Sequence, residues 1–226
     1  MSLTYTWYGH GTGLVEVDGT RVLVDPFFTG NPAASVAADD VTCDFILVSH
    51  GHNDHVADLV PIARRTRAQI ISNFEIATWA ENQGLTAHGQ SIGGGHAFPF
   101  GYVKLTQAQH GSAMPDGSYG GQPCGFLLTV GGQKLYLACD TGLFGDMRLI
   151  GDEGVTLAVL PIGDNFTMGP DDALRATKLI RARHYIPVHY NTWPLIEQDA
   201  NAWAKRVQAD GDAEVHVLKP GESFSL

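Results

Sequence analysis

Cysteine, positive charge and long apolar runs are all scarce in this chain. Its 226 residues include 3 cysteines, Cys43, Cys124 and Cys139, which are scattered, odd in number and without a CxxC pair. That pattern argues against a disulfide framework or a thiolate zinc site and predicts buried free thiols. Lys and Arg total 14 against 24 for Asp and Glu, a formal charge of -10. Such a surface repels a polyphosphate backbone, so nucleic acid is not the expected partner. No apolar run approaches the roughly 18 residues that cross a bilayer. No stretch has the charged start, apolar middle and small-residue cleavage site of a signal peptide. A cytoplasmic address with no membrane partner is therefore expected, and the sequence leaves a homo-oligomer open.

Apolar residues are present in quantity, at 44% of the chain. That suffices for a sizeable core and predicts one domain over residues 1–226. Short strand-like runs fill the first quarter: Tyr5 to Tyr8, Leu14 to Val17 and Arg21 to Val24. Asp18-Gly19, between the last two, is a two-residue hairpin signal. Gly131-Gly132 repeats the arrangement between Phe126 to Val130 and Gln133 to Ala138. Each second strand runs toward an aspartate, Asp25 or Asp140, which suggests two related halves. Helical spacing follows at Val56, Leu59, Val60 and Ala63, with Pro61 tolerable only close to a helix start. Further helices are expected over Asn73 to Gln83, Asp171 to Arg183 and Pro194 to Gln208, the last facing inward with Ile196, Ala200, Trp203 and Val207. Strands alternating with helices predict an α/β fold, and hairpin connections predict mixed sheets.

The stretch Ser49 to His55 reads SHGHNDH and directly follows the apolar run Phe45-Ile46-Leu47-Val48. Four metal-ligand side chains, His50, His52, Asp54 and His55, fall within it, and imidazole and carboxylate are what Zn²⁺ takes where thiolates are absent. A polar surface loop would not need so many. One tetrahedral ion cannot use all four on so short a tether. His50 and His52 serving one ion, and Asp54 and His55 a neighbour about 3.5–4 Å away, suits the spacing better. Strand ends elsewhere would deliver His110 in QAQHGS, Asp140 in LACDTG and His189 in VHYNTWP.

In that order and separation, His50, His52, Asp54, His55, His110, Asp140 and His189 resemble the ligand set of the binuclear metallo-β-lactamase superfamily. DTGLFGDM, LPIGDNFTMGP and VHYNTWP look like a branch of metal-dependent hydrolases within it, with lactonases of sugar-acid phosphates as more distant relatives. The resemblance implies a four-layer αββα sandwich, two mixed sheets flanked by helices, with the site at one sheet edge. It implies His50, His52 and His110 on one ion, Asp54, His55 and His189 on the second, and Asp140 bridging. Redox members of the superfamily carry glutamate where His52 stands, so the hydrolytic version is implied. The cofactor is then two divalent ions, Zn first, with Mn, Ni or Fe as alternatives.

Two such ions, less the charges of Asp54 and Asp140, would lower the pKa of a bridging water toward about 7. The predicted chemistry is hydrolysis of a small ester, lactone or phosphodiester, with Asp54 as a further candidate proton acceptor. His10, in the glycine-flanked YGHGTG, is either a substrate-contacting or proton-donating group or a hydrogen-bonded turn residue. Asp25, in LVDPF, is either a carboxylate behind a ligand histidine or a turn aspartate. Asp164, Thr167 and Asn191 are expected near the cleft, while Trp193 suits either pocket or core. His88, His96, His184 and His216 lack ligand context, and His216 is expected to face solvent from a strand. A non-catalytic metal-binding scaffold, or a nuclease of the same superfamily, is the competing reading; the acidic composition opposes the nuclease.

Overall fold

The elements form where the patterning places them, and one β-hairpin in each half sets the frame. In the computed structural model, which describes residues 2–226, the first half contains β1 (Leu3–Gly9), β2 (Thr12–Val17), β3 (Thr20–Val24), β4 (Phe45–Leu47), α1 (Asn53–Val56), α2 (Leu59–Thr66), β5 (Gln69–Asn73), α3 (Phe74–Asn82) and β6 (Ala87–Gln90). The second contains β7 (Gly95–Phe98), β8 (Gly101–Gln107), β9 (Cys124–Val130), β10 (Gln133–Leu137), α4 (Met147–Asp152), β11 (Leu157–Pro161), α5 (Pro170–Ile180), β12 (His184–Val188), α6 (Ala200–Ala209), β13 (Glu214–Val215) and β14 (Ser223–Ser225). Both hairpin turns take two successive left-handed residues, Asp18 (φ 45°) with Gly19 (φ 89°) and Gly131 (φ 54°) with Gly132 (φ 87°). That twist matches the flanking strands.

The strands build two sheets, ordered β14-β1-β2-β3-β4-β5-β6 and β13-β12-β11-β10-β9-β8-β7. In the first, β14 to β3 pair antiparallel and β3 to β6 parallel. The second repeats this, antiparallel from β7 to β10 and parallel from β10 to β13. The likeness of the two halves thus extends from the hairpins to the whole sheet topology.

Alternate residues of the first sheet feed two cores. Val15, Val22, Val24, Leu47 and Ile71 point inward to a core shared with the second sheet's Val103, Leu105, Phe126, Leu128 and Leu137. Leu14, Leu23, Ile46 and Ile70 point outward and pack against Val56, Leu59, Ile62, Ile76 and Ala80 of α1 to α3. Strands buried on both faces read as unbroken apolar runs, which is why Phe45 to Val48 shows no polar alternation. Ala173, Ala176, Ile180, Trp203 and Val207 of α5 and α6 cover the second sheet's outer face. The product is an αββα sandwich, and among the described residues no helix is long and apolar enough to cross a membrane.

Several boundaries differ from expectation. The last helix begins at Ala200 instead of Pro194, because the Asp199 side chain accepts the Ala202 N–H at 2.9 Å and caps it there. Pro194–Ile196 is a separate 3₁₀ turn, with Ile196 still buried. Helix α5 stops at Ile180, where Arg181 turns left-handed (φ 55°). His216 does not project freely: its ring stacks on Phe224 at 3.8 Å, and its Nε2 lies 3.2 Å from His184 Nδ1. Cys43 and Cys124 are buried free thiols, and Cys139 is half-buried.

Candidate metal centre

Every candidate ligand leaves the C-terminal end of a strand or the turn after it. His10 follows β1, Asp25 follows β3, the SHGHNDH stretch follows β4, and His110, Asp140 and His189 follow β8, β10 and β12. Parallel strands bring these ends to one edge of the sandwich. Four of the residues there, His10 (φ 54°), Asp25 (φ 45°), Cys139 (φ 53°) and His189 (φ 56°), hold left-handed backbone without being glycine. Such strain persists only where surrounding packing and hydrogen bonds impose it, and it concentrates at functional sites. Gly11 shows how tight the approach is, since a Cβ there would lie 2.8 Å from His55 Cε1.

Two donor sets converge. His52 Nδ1 lies 3.0 Å from His50 Nε2 and 3.2 Å from His110 Nε2. Beside them, His10, Asp54, His55 and His189 bring one ligand atom each within 4.8 Å of one another. Asp140 stands between the sets: its Oδ2 is 3.0 Å from His189 Nε2, 3.2 Å from His55 Nε2, 3.6 Å from His110 Nε2 and 4.0 Å from His50 Nε2.

The tautomers follow from what lies behind. Ser49 Oγ donates to Asp25 Oδ2 at 2.6 Å and stands 2.9 Å from His50 Nδ1. With its own proton committed, Ser49 accepts from His50 Nδ1–H, leaving His50 Nε2 with a lone pair facing the cleft. His55 Nδ1 donates to Asp25 Oδ2 at 3.0 Å, which points its Nε2 at the cleft, where loss of its proton would leave a lone pair. Asp25, fixed further by the Ser49 N–H at 2.7 Å, therefore orients one histidine of each set.

Charge and burial are balanced closely. Burial alone would raise the Asp140 carboxyl, but His189 and His55 beside it hold it well below the usual carboxylate range. Burial opposes charge on His55, yet Asp140 and Asp25 on its two sides raise it well above an ordinary imidazole. Burial and the neighbouring His55 keep His50 well below its ordinary value. His10 is pushed down to about 4 by burial and by His189.

The donors suit a metal. His55 Nε2, His189 Nε2 and Asp140 Oδ1 are buried without a hydrogen-bond partner. Buried polar atoms left without a partner are costly, and a metal ion displacing the His55 proton would engage such nitrogens and oxygens together. The spacings in the His50, His52 and His110 set are close to the about 3.3 Å that metal–nitrogen bonds of about 2.0–2.1 Å at tetrahedral angles require.

Residues 20–190 match the family model of the beta-lactamase superfamily domain. The chain belongs to the metallo-β-lactamase superfamily. It is 50% identical over 232 residues to a UPF0173 metal-dependent hydrolase of Heliobacterium modesticaldum, covering 99% of this chain and 98% of that one. Against the corresponding Thermus thermophilus protein identity is 47% over 220 residues, covering 97% of each. The structure of Igni18, described as a novel metallo hydrolase from Ignicoccus hospitalis, matches with a TM-score of 0.92 at 35% identity, covering 100% of this chain and 99% of that one. The metallo-beta-lactamase fold protein YhfI of Bacillus subtilis, at 15% identity and a TM-score of 0.77 over 100% of both chains, shows the shared fold alone. Within the superfamily, then, this chain is a metal-dependent hydrolase.

A cleft of about 640 Å³ opens over the centre, with His52, Asp54, His110 and Asp140 in its lining. His10 is absent from that lining. Its ring is fully buried behind Asp54, with Nε2 3.0 Å from Asp54 Oδ2 and Nδ1 2.8 Å from Thr192 Oγ1, so of its two expected roles the geometry matches the hydrogen-bonded one, on a candidate ligand. Asp164, Thr167 and Asn191 do not line the cleft either. Asp164 Oδ1 accepts the Asn165 N–H at 2.8 Å and its carbonyl accepts from Thr167 N at 3.3 Å, so these residues shape their own loop. Asn191 Oδ1 accepts from Gln198 N at 2.7 Å, and the residue faces a neighbouring groove. Trp193 lines the cleft, edge-on to His10 at 4.8 Å.

Sequence reasoning missed Ser49, Thr192 and Asp58. Asp58 is buried and takes the Phe28 and Thr29 N–H groups at 2.7 and 2.8 Å, bracing the loop that carries Phe27 to the cleft. Ser49 adjoins the ligand stretch and was open to suspicion on that ground. Thr192 and Asp58 carry no local signal, because their partners lie 182 and 30 residues away.

Proposed function

We propose that this cleft holds two divalent metal ions, zinc foremost and Mn, Ni or Fe as alternatives, and hydrolyses a small ester, lactone or phosphodiester. His50 Nε2, His52 Nδ1 and His110 Nε2 would hold one ion; Asp54, His55 Nε2 and His189 Nε2 would hold the other; Asp140 would bridge. When bound, the pair supplies Lewis acidity and a water acidic enough to ionise near neutral pH, with a pKa of about 7 in zinc sites. The observation that carries this reading is the position of Asp140 Oδ2, within 4.0 Å of four imidazole nitrogens, two from each donor set.

The chain's own groups divide the remaining work. Asp25 and Ser49 hold the His50 and His55 tautomers. His10, kept neutral by burial, has its Nε2–H on the Asp54 carboxylate and so must accept the Thr192 hydroxyl at Nδ1. That contact holds the Asp54 carboxylate through its Oδ2 at the cleft wall, where Asp54 would be a candidate proton acceptor for the attacking water. His10 is thus a positioning residue. Metal content per chain, measured by elemental analysis on protein purified without chelator or a metal-binding tag, tests the reading. About two ions per chain are expected by analogy with two-metal hydrolytic centres. Essentially none, even after supply of Zn, Mn, Ni and Fe, would overturn it and favour a scaffold.

A further inference from the structure

The walls of the cleft above the ligands are apolar. Phe27, Phe166, Trp193 and Leu195 form them, with Thr29 and Asn53 as the neutral polar members. None of the 14 lysines and arginines lines the cleft, and its only carboxylates are Asp54 and Asp140. Phe166 and Leu195 are 50% and 69% exposed, an unfavourable arrangement for large apolar side chains unless something covers them. Both sit on loops held in shape by left-handed residues, Asp164 (φ 64°) and Asn165 (φ 51°) beside Phe166 and Asn191 (φ 59°) before Leu195. The exposure is therefore built into the loop conformation.

We propose, resting on the two-ion hydrolase reading above, that the substrate is an uncharged carboxylic ester or lactone whose apolar acyl group lies between Phe27, Phe166, Trp193 and Leu195. Bound ions attract any polarised oxygen, anionic or neutral, so the choice of substrate falls to the walls. A phosphodiester or sugar phosphate would bring a permanent negative charge into contact with aromatic and aliphatic side chains. Sites for such groups ordinarily add arginine, lysine or a backbone N–H cradle, and no arginine or lysine lines this cleft. An apolar acyl chain would be dehydrated by the same walls and would cover Phe166 and Leu195. Hydrolysis places the water oxygen on the acyl carbon, breaks the acyl C–O bond, and sends one water proton to the departing alkoxide. A carboxylic acid and an alcohol result, or a hydroxy acid from a lactone.

Two ladders test this on the metal-loaded protein. p-Nitrophenyl acetate, butyrate and octanoate, with bis(p-nitrophenyl) phosphate beside them, give kcat/KM. Acetohydroxamate through octanohydroxamate, titrated calorimetrically, give binding without turnover. The expected result is affinity rising with chain length, up to roughly fourfold per methylene where burial is complete, and a phosphodiester rate far below that of the octanoate ester. Phe166→Ala and Leu195→Ala should flatten both ladders, chiefly through KM. Turnover with flat ladders, or preference for the phosphodiester, overturns the assignment alone. No turnover of any of these compounds by protein holding both ions overturns the hydrolase reading and this one with it.

Discussion

The β2–β3 hairpin runs into Asp25 and the β9–β10 hairpin into Asp140, and both carboxylates reach the same imidazole from opposite sides. Asp25 Oδ2 lies 3.0 Å from His55 Nδ1, and Asp140 Oδ2 lies 3.2 Å from His55 Nε2. The two sheets share one topology, yet Asp25 comes immediately after β3 whereas Asp140 comes three residues after β10. Those extra residues, with the left-handed turn at Cys139 (φ 53°), carry Asp140 out to the cleft. Asp25 stays in the floor, 1% exposed, and reaches the cleft only through His55 and Ser49. One structural plan, used twice, thus gives a bridging candidate in one half and an orienting group in the other. The comparison implies that losing Asp140 removes the centre, and losing Asp25 only loosens it.

Asp140→Ala is the sharpest way to break that contrast. It should remove one or both ions and abolish hydrolysis, because a carboxylate shared by both donor sets has no substitute nearby. Elemental analysis and single-turnover assays on the same preparation check this. Full metal content with full activity would remove Asp140 from the bridge.

Asp25→Asn probes the other half. The amide keeps the shape of the carboxylate but not its charge, so His55 and His50 lose the partner that fixes their tautomers. A fall of about 10- to 100-fold in metal affinity or activity is expected, read from competition with a chromophoric chelator and from kcat/KM. An unchanged variant would return Asp25 to the role of a turn residue.

Proton release separates the two aspartates further. In the metal-free chain His55 is held above its ordinary 6.5 by the carboxylates on either side, despite the opposing effect of burial. Its charge therefore stabilises the metal-free fold fully below pH 6.5, and that contribution is lost as pH rises through the raised value. Metal needs the neutral ring, so binding at pH 7 should expel about one proton from His55. Calorimetry in buffers of different ionisation enthalpy measures it. The stabilisation by metal, seen as a shift in Tm, should accordingly grow as pH rises toward that raised value. Release should shrink in Asp25→Asn, and an unchanged count there would mean that Asp140 alone holds the proton.

How much of this was legible in the sequence depended on how local each cause was. The hairpins were legible because Asp18-Gly19 and Gly131-Gly132 are two-residue signals, and the SHGHNDH stretch was legible because its ligand types are crowded into one turn. The start of α6 was misplaced because Pro194 advertises a helix while Asp199, six residues on from Trp193, actually caps it. Flanking glycines left the role of His10 open between substrate contact and a hydrogen-bonded turn; that its ring faces Asp54 depends on Thr192, far along the chain. Phe166 and Leu195 come to line the same cleft only after two loops have folded, so nothing in their own neighbourhoods marks them.

The smallest expected effect lies at the joint between the two roles, Ser49. Its hydroxyl relays Asp25 to His50, whereas Asp25 reaches His55 without an intermediary. Ser49→Ala removes the relay but leaves the backbone N–H on Asp25 Oδ1 at 2.7 Å and the His55 contact intact. The set containing His50 should therefore weaken while the set containing His55 does not. Two hydrogen bonds are lost, and the one to His50, which bears on metal binding, is worth about 1 kcal/mol, or roughly fivefold. Stepwise titration with Zn²⁺ should show the change in one of two binding steps only. An equal change in both steps would mean that Ser49 acts through Asp25 as a whole, and the separate orienting of His50 by Ser49 would have to be given up.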